Sequence, residues 1–517
     1  MNTRNVSFSR AVQCILFASA ALIALPLAWA QQPATTPADS ELADSVRELR
    51  EQVQQLRAAV SEIKSEAAQY RAENDELRRE LEGIRGLPVP GRSAEGSAPT
   101  AQGSPANTST EQRISSLEST TQLQQSEMRT LYQTKVESAS KYRVRLTGLV
   151  LLNIFHNNGA VDNQDVPSYA TSTAPYGITP AFGATMRQSE FGLEVFGPKL
   201  FGAKTSGEVN LDFGGGFPAG QLDGLNTGIV RMRTADMHLD WQSTSLIVGQ
   251  DGLFVSPNSP ASFASLLVPS FGYSGNLWGW IPQVRVEHRF DFSENASMSI
   301  AGGILDNITG EYAYAAQRLP QAGESSGQPA YAARTGFTRN FNGRPLTIGA
   351  SGYYSRQNWG FGWTADGWAA ISDWRIPLPA RLELSGEFFR GRAIGGLGGG
   401  IGQSVLYSGS PTNPYSGFLP LNSAGGWSQL KFAATSRLEF NGVFGLDNPF
   451  ASDIHAFPSP VSIYSNVLAA NRSEMMNFIY RPRSDLLLSG EYRHLHTTEI
   501  GNYSSADQVN LVMGVLF

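Results

Sequence analysis

The chain has 517 residues, 53 of them glycine and only 6 lysine, with 41% hydrophobic residues, 16% charged residues and a net charge of -6. That length allows two or three units of about 100 to 200 residues, while abundant glycine, 10% aromatics and sparse charge argue against a soluble helical enzyme and for a turn-rich β structure. The mildly acidic balance, with no clustered basic footprint, excludes nucleic acid as a partner.

At the N-terminus Arg4 and Arg10 precede an apolar run from Ala11 to Leu25, and Ala28-Trp29-Ala30 ends in the small-x-small pattern cut before Gln31. Residues 1–30 are therefore expected to be a signal peptide; the run is too short for a spanning helix, which needs about 20 residues. Cys14 lies inside the removed segment, so the mature chain is expected to carry no thiol, which excludes disulfides, thiol catalysis and cysteine-based zinc sites.

Residues 31–85 follow a heptad. Val46, Val53, Val60, Ala67, Asn74 and Leu81 occupy position a, and Leu42, Leu49, Leu56, Ile63, Tyr70, Leu77 and Ile84 occupy position d, as in a self-associating coiled coil. Asn74 is the polar a-position residue that sets register, and valine at a with leucine at d leans toward two strands. Residues 86–110 break the helix: 19 of these 25 are Gly, Pro, Ser, Thr or Ala, the composition of a flexible linker. A short helical connector is expected over 111–141, around Ile114, Leu117, Met128 and Leu131.

From 142 to 517 the period becomes two. Val144, Leu146, Val150, Leu152 and Ile154 alternate with Arg143, Arg145, Thr147 and Asn153, although Leu149 and Leu151 blur the polar side. Sixteen candidate strands start near 143, 187, 203, 229, 245, 283, 297, 331, 346, 366, 381, 428, 437, 472, 485 and 508. Brief turns such as Gly197–Gly202, Gln242–Thr244 and Arg481–Ser484 interleave with long loops at 156–186, 252–282 and 391–427. That asymmetry marks a transmembrane barrel with short periplasmic turns and long external loops, in which the apolar phase meets lipid and the polar phase lines the lumen. The end of the chain, with Val509, Leu511, Met513, Val515 and Phe517 in alternation, suits a last strand that closes on the first. The expected fold is an all-β transmembrane barrel of about 16 antiparallel strands, preceded by an α-helical coiled coil.

Four segments, Ala370-Ile371-Ser372-Asp373-Trp374-Arg375, Gly386-Glu387-Phe388-Phe389-Arg390-Gly391, Val248-Gly249-Gln250-Asp251 and the run from Asn441 to Pro449, resemble outer-membrane porins. The resemblance is to the DcaP-like trimeric porins, which carry an N-terminal periplasmic coiled coil, and to the wider phosphate-selective porin O/P superfamily. It implies a homotrimer in the outer membrane with its N-terminal segment in the periplasm, three helices in the coil against the two-stranded lean above, and passage of small, often anionic solutes. It also implies outer-membrane lipid as surroundings, and the coil is separately a candidate for a cell-wall contact. Phosphate selectivity needs a basic ladder, whereas residues 143–517 hold 24 Lys and Arg against 28 Asp and Glu, with only Lys199, Lys204 and Lys431 among the lysines. Specific phosphate uptake is thereby disfavoured.

No enzyme motif emerges. His156, His238, His288, His455, His494 and His496 form no helical metal motif, and His494 and His496 read as surface residues of a barrel rim. The Gly395–Gly400 run lacks the Lys-Ser/Thr of a phosphate cradle and is expected to be a flexible loop. No catalytic residue, cofactor or metal site is expected. Single-channel conductance separates a diffusion channel from the two alternatives, a structural tether between barrel and cell wall and an outer-membrane enzyme, and turnover of lipid or peptide marks the enzyme.

The candidate constriction is the third external loop. Residues 252–282 contain no Asp, Glu, Lys, Arg or His but include Phe254, Phe263, Phe271, Tyr273, Trp278 and Trp280. If this loop folds inward, selectivity falls to the facing wall: Arg285 and Arg289 after the loop, Arg231 and Arg233 near the same rim, and Glu208 and Asp212 as opposing carboxylates, with Phe271 and Tyr273 on the loop side. For the heptad, Leu49→Pro with Leu56→Pro should shorten the particle in solution scattering and leave the trimer intact; loss of trimers would show that the coil drives assembly.

Overall fold

The computed structural model describes residues 143–172, 179–217, 228–311, 318–341, 343–463 and 467–517. The expected signal peptide (1–30), coiled coil (31–85), linker (86–110) and helical connector (111–141) lie outside the described residues, as does residue 142.

The described residues form nineteen strands. They are β1 (Arg143–Asn158), β2 (Ala181–Thr185), β3 (Glu190–Phe196), β4 (Lys204–Asp212), β5 (Arg231–Asp240), β6 (Thr244–Gly252), β7 (Trp280–Ser293), β8 (Ala296–Leu305), β9 (Ala330–Phe341) and β10 (Arg344–Asn358). After them come β11 (Thr364–Leu378), β12 (Leu382–Arg392), β13 (Val405–Tyr407), β14 (Phe418–Pro420), β15 (Asn422–Ala433), β16 (Leu438–Pro449), β17 (Leu468–Arg483), β18 (Leu486–Glu499) and β19 (Asn502–Leu516). Seventeen share one antiparallel sheet, and β13–β14 make a separate small hairpin within a loop. β2 pairs with the upper part of β1 and β3 with its lower part, so the two occupy a single wall position. The wall thus has sixteen positions.

The sheet closes where β1 pairs with β19, from Leu149 opposite Leu516 to Asn158 opposite Asp507. The backbones of Gly148 and Phe517 exchange hydrogen bonds of 2.9 and 3.0 Å, which carries the closure to the last residue. The Phe517 ring then lies over Gly148, where a Cβ would fall 2.4 Å from Cζ, and meets the Phe191 ring at 6.0 Å.

The side chains are distributed in the reverse of a soluble sandwich. Leu146, Val150, Phe388, Phe444, Met476, Leu511 and Met513 face outward and are exposed, whereas Asn153, Asp373, Asn471, Glu491 and Asn510 face inward and are buried. This is the alternation of a barrel set in hydrocarbon, where every backbone group must be paired within the sheet. Helix is nearly absent among the described residues, which show only a four-residue turn at Ala451–Ile454 and two shorter 3-10 turns.

Three expectations need correction. The strand expected near 187 is interrupted at Met186–Ser189 to give β2 and β3, and β15 and β19 start six residues earlier than expected, at Asn422 and Asn502. The long-loop end also has two tight connections, at 359–363 and 500–501, so the asymmetry is incomplete. Finally, the Gly395–Gly400 run is closely packed inside the barrel. A Cβ at Gly396 would fall 2.3 Å from the Ile308 oxygen, and one at Gly399 2.6 Å from the Ile394 side chain. Glycine is needed there because backbones and side chains touch.

Gly148→Leu should displace the Phe517 ring and cost about 1–3 kcal/mol, as overpacking does. The folded, heat-modifiable gel band should be lost at a lower temperature than in the wild type, and an unchanged transition would separate the ring from closure.

Candidate pore constriction

Residues 253–279, between β6 and β7, fold into the barrel. Because the loop has no charged side chain, it is anchored through serines, asparagines and its own backbone to polar groups on the inward phase. Ser256 Oγ donates to Glu387 of β12 at 2.6 Å, and Asn258 donates to Asp373 of β11 at 3.2 Å. The Ala261 amide donates to Gln429 of β15 at 2.7 Å, and Ser262 donates to Glu491 of β18 at 2.6 Å. Across the lumen the Leu266 amide donates to Gln188 at 2.7 Å, and Arg231 of β5 donates to the Leu267 oxygen at 2.7 Å. The loop then returns along β17, where Asn471 donates to Ser274 Oγ at 2.7 Å and to the Tyr273 oxygen at 2.9 Å. Each neutral bond contributes about 1 kcal/mol, and those to carboxylates somewhat more.

Apolar contacts complete the seat. Leu149 and Leu151, which blur the polar phase of β1, pack with Ala264, Phe263 and Leu266 of the loop. Phe271 packs with Trp427, Val443 and Met475 on β15–β17. The wall makes room by lacking side chains there: a Cβ at Gly445 would fall 2.4 Å from both Phe271 Cδ1 and the Ser274 oxygen. A second loop, residues 393–421, also folds inward, with Ile394 and Leu397 in the same buried cluster as Leu253, Phe254 and Leu277. The Ile401 amide donates to the buried Asp447 at 2.8 Å.

The expected site residues fall into separate groups. Arg231 makes a two-pronged ion pair with Asp212, at 2.6 and 3.0 Å, and Arg233 lies 3.7 Å from the same carboxylate while also pairing with Glu190. Both guanidiniums lie 4.8 Å from the centre of the Trp280 ring. Asp212 is therefore the neighbour of these arginines on the adjoining strand and does not oppose them across a gap. Glu208 stands further down β4 opposite Asp236, hydrogen-bonded to Asn210. Arg285 is clamped between Asp251 and Glu287, at 2.7 Å from each. Arg289 is nine residues beyond Trp280 on β7, near the short-turn end and remote from the loop, where it pairs with Asp291 at 2.7 Å. Phe271 is a buried anchor, whereas Tyr273 is half-buried against Trp278 at 6.0 Å.

Burial also changes the charge seen by the lumen. Asp373, Glu387, Asp447 and Glu491 face inward but are enclosed by the two loops and by Arg334 and Arg493. On β11–β17 the open charges lie toward the short turns. Arg375, Lys431 and Arg481 are 49%, 31% and 41% exposed, against 19% and 21% for their partners Glu383 and Glu439. Sequence reasoning missed these bases and the anchors Gln188, Asp373, Glu387, Gln429, Asn471 and Glu491. The one signal for the seat was glycine on the inward phase at Gly425 and Gly445. His494 and His496 face outward, His494 bonded to Asp507 at 2.8 Å and His496 stacked on Tyr503. No group of three metal-ligating side chains occurs among the described residues.

No family model and no curated protein matches the chain. Among solved structures it is similar to the outer-membrane channel DcaP of Acinetobacter baumannii, with 15% identity and a TM-score of 0.54 over 74% of this chain and 100% of that one. It is also similar to an anion-selective porin from Comamonas acidovorans (11% identity, TM-score 0.45, 73% and 100% covered). A third structure, OprB of Pseudomonas putida, has 11% identity and a TM-score of 0.43, with 72% and 94% covered. At 15% identity the likeness to DcaP is one of fold.

Gly445→Leu should unseat Phe271 and raise amide hydrogen exchange at Ala261, Leu266 and Leu277 at least about tenfold, the equivalent of roughly 1.4 kcal/mol. Strand amides should keep their protection. Unchanged exchange in the loop would mean that it does not rest on β16.

Proposed function

We propose that the protein is an outer-membrane porin, a homotrimer whose barrels admit small hydrophilic solutes, chiefly organic anions, by passive diffusion, with the N-terminal coil in the periplasm. The observation that carries this reading is the sixteen-position closed wall, since barrels of that size leave an aqueous lumen that side chains cannot fill. Open charged residues at its short-turn half, Arg289, Asp291, Arg375 and Arg481, are consistent with water there. The loop at 253–279 narrows the passage without contributing charge. Selectivity is assigned to the wall, where the greater exposure of Arg375, Lys431 and Arg481 over their acid partners favours anions. Arg231, Arg233 and Arg285 are largely neutralised by their carboxylates, so their part is to orient dipolar solutes.

Purified protein in a planar bilayer should show single-channel conductance, and a closed barrel would support a structural tether instead. Deleting residues 258–276 should raise conductance several-fold; no rise would exclude this loop as the constriction. Replacing Arg375, Lys431 and Arg481 together by Glu should move the reversal potential toward cations by tens of millivolts in a tenfold salt gradient, and Arg285→Glu should move it less. An unmoved potential in the triple variant would remove that wall from selectivity.

A further inference from the structure

At the long-loop end the outward face of β10–β12 carries a cluster of arginines. There Arg356, Arg390 and Arg392 share one face with a single carboxylate, Asp366. Pairing places Arg356 opposite Asp366 and Arg392 opposite Trp368, so the first and last arginines stand two strand spacings apart, roughly 10 Å. Directly below are the outward aromatics Tyr354, Trp368 and Phe388, all exposed. Aromatics in such a position mark the boundary between hydrocarbon and headgroups.

The charges of this patch are unevenly met. Arg356 donates to Asp366 at 2.8 Å, and Tyr354 donates to the same carboxylate at 3.1 Å. Arg390 turns its head toward the loop end, giving hydrogen bonds of 3.2 Å to the Ser423 oxygen and to Asn422 Oδ1 and stacking 4.1 Å over Phe450. Neutral acceptors leave its charge in place. The Nε of Arg392 is buried without a hydrogen-bond partner. That nitrogen is enclosed, but Arg392 has no ion-pair partner among the described residues and its half-buried guanidinium lies on a lipid-facing surface, where the planar fork of arginine matches phosphate in a two-pronged contact.

We propose that this face binds the phosphate groups of a phosphorylated glycolipid of the outer leaflet, with Arg356 and Arg392 as the phosphate ligands, Arg390 adding charge, and Trp368 and Tyr354 against the upper acyl chains. A lipid is the occupant because the site opens sideways into the membrane plane above an aromatic belt, where no soluble anion has a preferred route. The proposal rests on the porin reading given above, with the long loops at the outer leaflet, and conductance of the wild type in phosphatidylcholine tests the porin reading separately.

The test is native mass spectrometry of the full-length protein in detergent with bisphosphorylated lipid A, dephosphorylated lipid A or inorganic phosphate. Wild type should retain bisphosphorylated lipid A at least fivefold better than the dephosphorylated form, and equimolar inorganic phosphate should not displace it. Arg356→Gln with Arg392→Gln should lower retention at least fivefold. Arg472→Gln, on the outward face of β17 and paired with Glu474, should not. Heat-modifiable gel mobility and unchanged conductance establish that the double variant is folded, and Arg392→Lys should keep most of the retention. Equal retention of the two lipid A forms, or of the double variant and wild type, would overturn the proposal. Displacement by inorganic phosphate would make this a soluble-anion site and overturn the lipid assignment.

Discussion

Everything in this structure depends on the closure between β1 and β19. In hydrocarbon an unpaired strand edge would leave a row of amides and carbonyls without partners, at several kcal/mol each. Pairing from Leu149–Leu516 upward removes that edge and extends to Phe517 through its backbone bonds with Gly148. Once the sheet is closed, each strand has one face in lipid and one toward the lumen. The period-two alternation is the consequence.

Closure creates an interior too wide for wall side chains to fill, and the loops take up part of it. A charged loop would have brought unpaired ions into a narrow space. The loop at 253–279 avoids this by being neutral, and the wall supplies the polarity instead: Glu387, Asp373, Gln429 and Glu491 accept hydrogen bonds from it. Those acids are used up in holding the loop and no longer act on a solute. Counting charges along the inward phase therefore overstates the acidity of the passage, because exposure leaves Arg375, Lys431 and Arg481 more open than their partners.

Arginine serves three purposes here, separated by where the strand phase and the loops leave it. Arg334 and Arg493 are enclosed with carboxylates and brace the seat of the loop. Arg231, Arg233 and Arg285 form ion pairs along one wall, the first two against Trp280. Arg356, Arg390 and Arg392 face the other way, toward the membrane, above an aromatic belt. The same residue type thus stands in three different surroundings within one sheet.

The amino-acid sequence alone determined the barrel, because alternation and the spacing of turns are local properties: thirteen of the sixteen strand starts were legible to within a few residues, and the neutral third loop stood out as a constriction candidate. It also placed Arg285 and Arg289 on the inward phase, with Arg231 near the same rim. Tertiary structure decided the partners. Asp212 and Arg231 lie 19 residues apart and only strand pairing makes them neighbours, while Arg289 proved remote because nine residues of extended strand separate it from the loop. Leu149 and Leu151 looked like noise in the alternation until Phe263, Ala264 and Leu266 arrived from over a hundred residues away to cover them. The glycine run at 395–400 reads as slack in a sequence, yet its meaning depends on the Ile308 backbone and the Ile394 side chain pressed against it. Contacts of this kind depend on which strands close around which loops, information that no single stretch of chain contains.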